Sequence, residues 1–377
     1  MSESPYSSQS EAALPARRPK AIVYCEANFG AIDGKTANGL VRNSERYQII
    51  SVIDSQLAGQ DTGMVLDGLA NGIPLCRDLD DAMTQAGPVP DLFIVGVAPT
   101  SGLLSTVERG VILEAMNQGL DIINGLHEFL NDDPEFAAAA AINNVEITDV
   151  RRPRAKIDLH MFNGSILDIP CPRIAILGTD GAIGKRTTAT ILTKALNDQG
   201  VKAVLVGTGQ TSLIQGARHG TALDAVPAQF VTGELEAAVV DAYHAESPDV
   251  IIIEGQGALS HPTYLSSTAI LRGSRPAAVI LQHAPARQTI SDFPSFRMPT
   301  PASEINLIET FADTKVIGLT INHENMTDSE VTAAITMYEL ELGIPATDAL
   351  TRPTERLLDM VFATFPDLDK KSSIVMK

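Results

Sequence analysis

The stretch Arg173-Ile-Ala-Ile-Leu-Gly178-Thr-Asp-Gly181-Ala-Ile-Gly184-Lys185-Arg-Thr187-Thr188-Ala constrains the fold of this chain more than any other. It reads as an apolar strand, a glycine-rich turn and the start of a helix. In that context glycines let the backbone turn its N–H groups inward, the helix N-terminus adds partial positive charge, and Lys185 supplies a full one. The expected ligand is a phosphate or pyrophosphate held by Thr179, Asp180, Gly181, Gly184, Lys185, Thr187 and Thr188. Thr187 or Thr188 can also reach a Mg²⁺ ion that accompanies the phosphate; no metal site built by the protein itself is expected. The plainer alternative is an ordinary tight strand-to-helix turn. Two departures from the usual pattern stand out: the first glycine, Gly178, comes one place early, and Arg186 separates the lysine from the first threonine.

Such a loop belongs in an open parallel sheet, and the rest of the chain is patterned for one. Short β-branched runs fall at 21–25, 47–53, 92–97, 121–123 and 145–150, then at 174–177, 203–206, 250–253, 277–281 and 316–321. The intervals leave room for helices. In 104–118, Val107, Val111, Ile112 and Ala115 recur at helical spacing and Gly119 supplies a stop. In 187–197, Ile191, Leu192, Ala195 and Leu196 form an apolar side closed by Gly200, and the alanine run 137–141 reads as a helix interior. A chain of 377 residues is the size of two domains. The expected fold class is α/β, with two doubly wound parallel-sheet domains. A tail covers 1–20, a Rossmann-like domain 21–150, a proline-bearing linker 151–172, and a domain with a P-loop NTPase-like core 173–377.

Charge and composition remove whole classes of function. A net charge of −18 argues against nucleic acid and anionic membrane surfaces as partners. No apolar run approaches the roughly 18 residues of a membrane span. The Ser-, Ala- and Pro-rich N-terminus lacks the apolar segment of a signal peptide and reads as a disordered tail. Cys25, Cys76 and Cys171 are too scattered for a disulfide framework or a metal cluster. A soluble cytoplasmic protein is the expectation.

Ligands of open α/β sheets collect beyond the carboxyl ends of the strands, so polar residues that follow the apolar runs are the site candidates. Glu254 ends the run at 250–253 and can orient a water, hold a metal or accept a proton from an amine; capping the next turn is its plainer role. His261 follows a few residues on. His283 and Arg287 follow the run at 277–281 and Asn322 that at 316–321, and a guanidinium suits an acidic substrate. In the first half, Lys35 stands at a helix start and His127 follows the run at 121–123. Asp54 ends the second run, where nicotinamide-binding domains carry a ribose-binding acid; without a matching G-x-G-x-x-G a capping role is the better reading.

The loop spacing resembles the variants found in dethiobiotin synthetase and the MinD-like ATPases. From Lys35 to about Arg352 the chain resembles the D-glutamate N-acetyltransferase family, long carried as a domain of unknown function. The stretches that match are Lys35-Thr36-Ala37, Gly125-Leu126-His127, Asp149-Val150-Arg151, Gly178-Thr179-Asp180 with Gly184-Lys185, Thr208-Gly209-Gln210-Thr211, Glu254-Gly255-Gln256-Gly257 with His261-Pro262, and His283 with Arg287. The resemblance implies transfer of acetyl from acetyl-CoA to the amine of D-glutamate, the product passing to an enzyme that inverts it during D-glutamate catabolism. It gives the loop a natural ligand in the coenzyme A phosphates. Glu254 and His261 become candidates for the general base, and Lys35, His127, His283, Arg287 and Asn322 candidates for holding the acidic amino acid. A homo-oligomer is expected. The chain departs from the family pattern at Arg186-Thr187 and at Gln282, Ala284 and Ala286, where an acid beside His283 is missing.

Two rival readings fit the loop without help from any family. One is an NTP-dependent ligase or kinase acting on a small acidic substrate, in which Thr187 replaces the usual hydroxyl ligand of Mg²⁺. The other is a non-catalytic nucleotide-binding regulator of the MinD type, against which stands the lack of an amphipathic membrane-targeting tail.

Overall fold

A computed structural model describes residues 17–31, 33–85, 89–97 and 103–369. The tail expected over 1–20 lies mostly outside the described residues, and Lys20 already opens the first strand. The chain divides into two compact units, residues 1–151 with 214–216, and residues 152–213 with 217–377.

In the first unit the strands are β1 (Lys20–Tyr24), β2 (Gln48–Ile53), β3 (Leu75–Cys76), β4 (Leu92–Val95), β5 (Asp121–Asn124) and β6 (Ile147–Asp149). They form one sheet in the order β3-β2-β1-β4-β5-β6 with every neighbouring pair parallel. The chain winds outward from β1 in both directions, the doubly wound pattern. Ile22, Val23, Phe93, Ile94 and Ile122 are completely buried. Strands covered on both faces become continuous apolar runs, which is why they are visible in the sequence. The helix expected over 104–118 is Thr106–Asn117, with a capping box between Ser105 and Glu108. The alanine run lies in the helix Pro134–Asn143, capped by Asp133.

The second unit contains β7 (Arg173–Gly178), β8 (Ala203–Gly207), β9 (His219–Gly220), β10 (Val250–Glu254), β11 (Ala278–His283), a small antiparallel pair β12 (Thr289–Ile290) and β13 (Phe293–Arg297), then β14 (Lys315–Ile321) and β15 (Ala346–Thr347). Seven of them form a parallel sheet in the order β15-β14-β11-β7-β10-β8-β9. The phosphate-loop strand β7 is central, flanked by β10 and β11, with Glu254 level with Ile176 and Gln282 level with Gly178. Side chains alternate across this sheet. Ala175, Leu177, Ile251, Ile253, Val279 and Leu281 fill one apolar layer, and Ile174, Ile176, Val250, Ile252 and Ile280 fill the other.

The stretch 151–172, read from its prolines as a linker, is built into the second unit from residue 152 onward. Ile166, Ile169 and Cys171 join its core. Two buried carboxylates of the helix Val231–Glu246 hold the strap by its backbone. Glu234 accepts the N–H of His160 at 2.7 Å, and Glu236 accepts those of Asn163 at 2.8 Å and Ile166 at 3.2 Å. Among the described residues no helix is long and apolar enough to cross a membrane.

Candidate functional site

β7 ends at Gly178, and the chain turns through 179–184 into the helix Lys185–Asp198. Gly184 caps that helix at φ +102°, where a side chain would be strained, and Ala182 adopts φ +49° despite its Cβ. The turn is held from outside by its carbonyls. Lys185 Nζ donates to Asp180 O, Arg287 Nη1 to Gly181 O at 3.0 Å, Arg287 Nη2 to Ala182 O at 3.2 Å, and Asn322 Nδ2 to Ile183 O at 3.1 Å. With four successive carbonyls occupied, the N–H groups of Ala182, Ile183 and Gly184 take no acceptor among the described residues. A row of such N–H groups at a helix start is an anion-binding concavity.

Several residues expected to touch the ligand shape this loop. Asp180 is completely buried; its carboxylate accepts Gly181 N–H at 2.7 Å, Ser291 N–H at 3.0 Å and Arg287 Nη1 at 3.0 Å. An anion there would repel a phosphate, so its contribution is to the backbone. Thr179 Oγ1 pairs with His283 Nδ1 at 2.8 Å beneath the loop, and Thr179 N–H donates to Gln282 O at 3.1 Å. His283 is buried edge-on against Tyr338, and burial pushes its pKa down to about 4, so it is neutral at physiological pH. Thr188 Oγ1 donates to Gln282 Oε1 at 2.7 Å, an acceptor it shares with Thr320 Oγ1, which ties the helix to β11 and β14. Thr187, on the first turn of the same helix, is half-buried. Asn322 Oδ1 accepts Glu324 N–H at 2.9 Å.

Arg287 is the clearest case. A guanidinium has five N–H donors. Here Nε and one Nη2 proton go to Glu324, the other Nη2 proton to Ala182 O, and the two Nη1 protons to Asp180 and Gly181 O. The residue expected to hold a substrate carboxylate has its donor set filled by two carboxylates and two loop carbonyls.

On the other side of β7, the end of β10 approaches that strand so closely that a Cβ on Gly255 would lie 1.8 Å from Ile176 O and 3.0 Å from Lys185 Cδ. Only glycine fits. Glu254, 4% exposed, accepts the N–H groups of Thr208 at 2.7 Å and Gly209 at 3.1 Å, fastening the turn after β8. Burial raises its pKa, with the two backbone donors opposing. His261, 6% exposed, receives at Nδ1 the N–H groups of Thr263 at 3.2 Å and Tyr264 at 3.3 Å. Its ring stacks on Tyr264 with centroids 4.3 Å apart. Burial lowers its pKa, with Lys185 in the same sense and Asp180 and Asp292 opposing.

Sequence reasoning missed three groups here. Glu304, 1% exposed in the helix Pro301–Phe311, accepts Ser260 N–H at 3.2 Å and Ser260 Oγ–H at 2.6 Å and so fixes the segment before His261. Tyr264 donates to Asp292 Oδ2 at 2.5 Å. Ser291, between β12 and β13, grips Asp180. The one available signal was the density of polar residues after β10 and β11. In the first unit Lys35 heads the helix Lys35–Arg42 and is exposed, and His127 is exposed just beyond β5. Asp54 accepts Phe29 N–H at 3.0 Å and Gln56 N–H at 3.1 Å, the capping role expected of it. Among the described residues no cluster of three or more His, Cys, Asp or Glu is arranged to hold a metal.

Comparison with known proteins places the chain in a family and agrees with its two-domain α/β fold. Residues 55–153 match the model of a domain of unknown function described as Rossmann-like (DUF1611_N), and residues 160–358 match its companion, described as a P-loop domain (DUF1611_C). A D-glutamate N-acetyltransferase of Tritonibacter scottomollicae is 31% identical over 277 residues, 72% of this chain and 80% of that one. Another from a Pseudoalteromonas species is 30% identical over 265 residues, 68% of this chain and 77% of that one. The crystal structure of a DUF1611 family protein from Anabaena variabilis superposes with a TM-score of 0.84 at 29% identity, covering 92% of this chain and 100% of that one. With both domain models matched in order and relatives aligned over more than two thirds of its length, the chain belongs to the D-glutamate N-acetyltransferase family.

Proposed function

We propose that this chain transfers an acetyl group from acetyl-CoA to the amino group of D-glutamate, as a step in breaking that amino acid down. The names of its relatives support the reaction. The observation that carries the donor is the row of N–H groups at 182–184 backed by Lys185, because coenzyme A brings a pyrophosphate suited to such a loop and requires no ATP chemistry. Lys185, now donating to Asp180 O, exchanges that carbonyl for a phosphate oxygen.

Amine attack on the thioester needs a neutral nitrogen and therefore a base. An extended pantetheine arm is about as long as four residues, roughly 13–14 Å. A thioester whose pyrophosphate fills the loop reacts within an arm's length of it, and Glu254 and His261 are the two residues expected from sequence to take the proton. Glu254 accepts the N–H groups of Thr208 and Gly209.

The test is thioester loss from acetyl-CoA with purified protein and a panel of D- and L-amino acids, with the acetylated product identified by mass. Turnover with D-glutamate is expected. One observation favours a second reading, an NTP-dependent ligase or kinase: β10 lies directly beside β7, setting an acid next to the phosphate loop. No thioester loss with any amino acid, together with ATP hydrolysis, would transfer the assignment to it.

A further inference from the structure

His261 is held on every side except one. Two backbone N–H groups, from Thr263 and Tyr264, point at its Nδ1, so that lone pair is engaged and the ring proton belongs on Nε2. Tyr264 stacks on its face, Phe293 lies 5.8 Å away at a tilt, and Glu304 fixes the preceding backbone. Yet Nε2 is buried and has no hydrogen-bond partner among the described residues. Buried donors are almost always satisfied, and a rigid one left open points to a ligand atom. The loop is close: a Cβ on Gly181 would lie 4.0 Å from Tyr264 Cε2, on the ring that stacks against the imidazole. Lys185, Asp180 and Asp292 are all near enough to act on its charge.

We propose that His261 donates from Nε2 to a phosphate oxygen, extending the anion site formed by Lys185 and the N–H groups of 182–184 from a single phosphate to a diphosphate ester. Burial lowers the pKa of the imidazole, which keeps it neutral with its proton on Nε2. Service as a base would require the opposite tautomer, with Nδ1–H set against two backbone N–H groups. The inference rests on the loop being the phosphate site, part of the reading above, but not on acetyl transfer, since nucleoside di- and triphosphates present the same group.

Calorimetric titration of the full chain and its His261→Ala and His261→Gln variants with coenzyme A, ATP-Mg²⁺ and inorganic pyrophosphate tests it. His261→Ala is expected to weaken the diphosphate ligand about tenfold, the scale of one hydrogen bond to a charged group, and His261→Gln, which keeps a donor, to recover part of the loss. In turnover the defect should fall on the donor constant more than on kcat. Unchanged affinity with a collapsed kcat would overturn the proposal. Weakened ATP binding in a protein that does not bind coenzyme A would leave it standing while removing the acetyl-CoA reading. Ring ¹⁵N spectra of the unsubstituted protein add a readout independent of any variant's folding. The histidine whose signal is missing in His261→Gln should be protonated at Nε2 and shift with pyrophosphate; protonation at Nδ1 would overturn the assignment.

Discussion

Replacing Arg287 by alanine probes how the phosphate loop is built. The guanidinium bridges the completely buried carboxylate of Asp180, the half-exposed Glu324 and the carbonyls of Gly181 and Ala182. Its removal leaves Asp180 with two backbone donors and no cation. Stripping one partner from a buried ion pair costs about 3–5 kcal/mol, against roughly 0–1 kcal/mol for an exposed one, so the Asp180 arm dominates and Glu324 adds little. At about 2–4 °C per kcal/mol for a unit of this size, the transition of the second unit should fall by roughly 6–20 °C. Scanning calorimetry on the full chain measures it, with the two units allowed separate transitions. The double variant Asp180→Asn with Arg287→Met should recover much of the loss, because neither charge is then stranded. Coenzyme A binding should weaken in the single variant as the Ala182 turn, at φ +49°, loses its support. An Arg287→Ala protein with unchanged melting and donor binding but a raised constant for D-glutamate would refute this reasoning and return the residue to the substrate.

Three further outcomes follow from other parts of the second unit and one from the first. Lys185→Ala should raise the apparent constant for acetyl-CoA tenfold or more, on the order of 1.5–3 kcal/mol for a charged hydrogen bond, as read from initial rates across donor concentration. Gly255→Ala drives a Cβ to 1.8 Å from Ile176 O, a backbone atom that cannot step aside, so the protein should fail to accumulate folded or melt far lower. Gly110→Ala, in the helix Thr106–Asn117 with nothing within 4 Å of the new Cβ, should instead stabilise the first unit by about 0.5–1 kcal/mol in the same thermal scans. His283, with its pKa at about 4, contributes stability that is complete above its unfolded value near 6.5 and is lost as pH falls through 4. That loss amounts to roughly 3 kcal/mol, and His283→Asn should flatten the unfolding curve in that window only.

The strands were legible because both faces of each sheet are covered. Ile251 and Ile253 go to one layer and Val250 and Ile252 to the other, so the alternation disappears into one apolar run that only a parallel sheet explains. The two-residue strands Leu75–Cys76, His219–Gly220 and Ala346–Thr347 are too short to carry a period, and the strap at 152–172 is held by Glu234 and Glu236, seventy or more positions downstream of the residues they bind.

Which residues gather beyond the strand ends of the second unit was legible, and what each of them holds was not. In the second unit Glu254, His261, His283, Arg287 and Asn322 all follow β10, β11 or β14, strands beside or near β7, which sheet topology alone predicts. What each does depends on partners remote in sequence. Arg287 can hold a carboxylate anywhere; that the carboxylates are Asp180, 107 residues back, and Glu324, 37 ahead, is a fact of the fold. His261 can be a base or a donor, and the choice rests on two N–H groups beyond Pro262 that occupy Nδ1. The same logic explains why so many polar residues gather here. A loop that turns N–H groups toward a ligand must dispose of the matching carbonyls, and Lys185, Arg287 and Asn322 receive them. Residues that look from sequence like a crowd of substrate contacts are therefore, in large part, what the phosphate loop requires to exist.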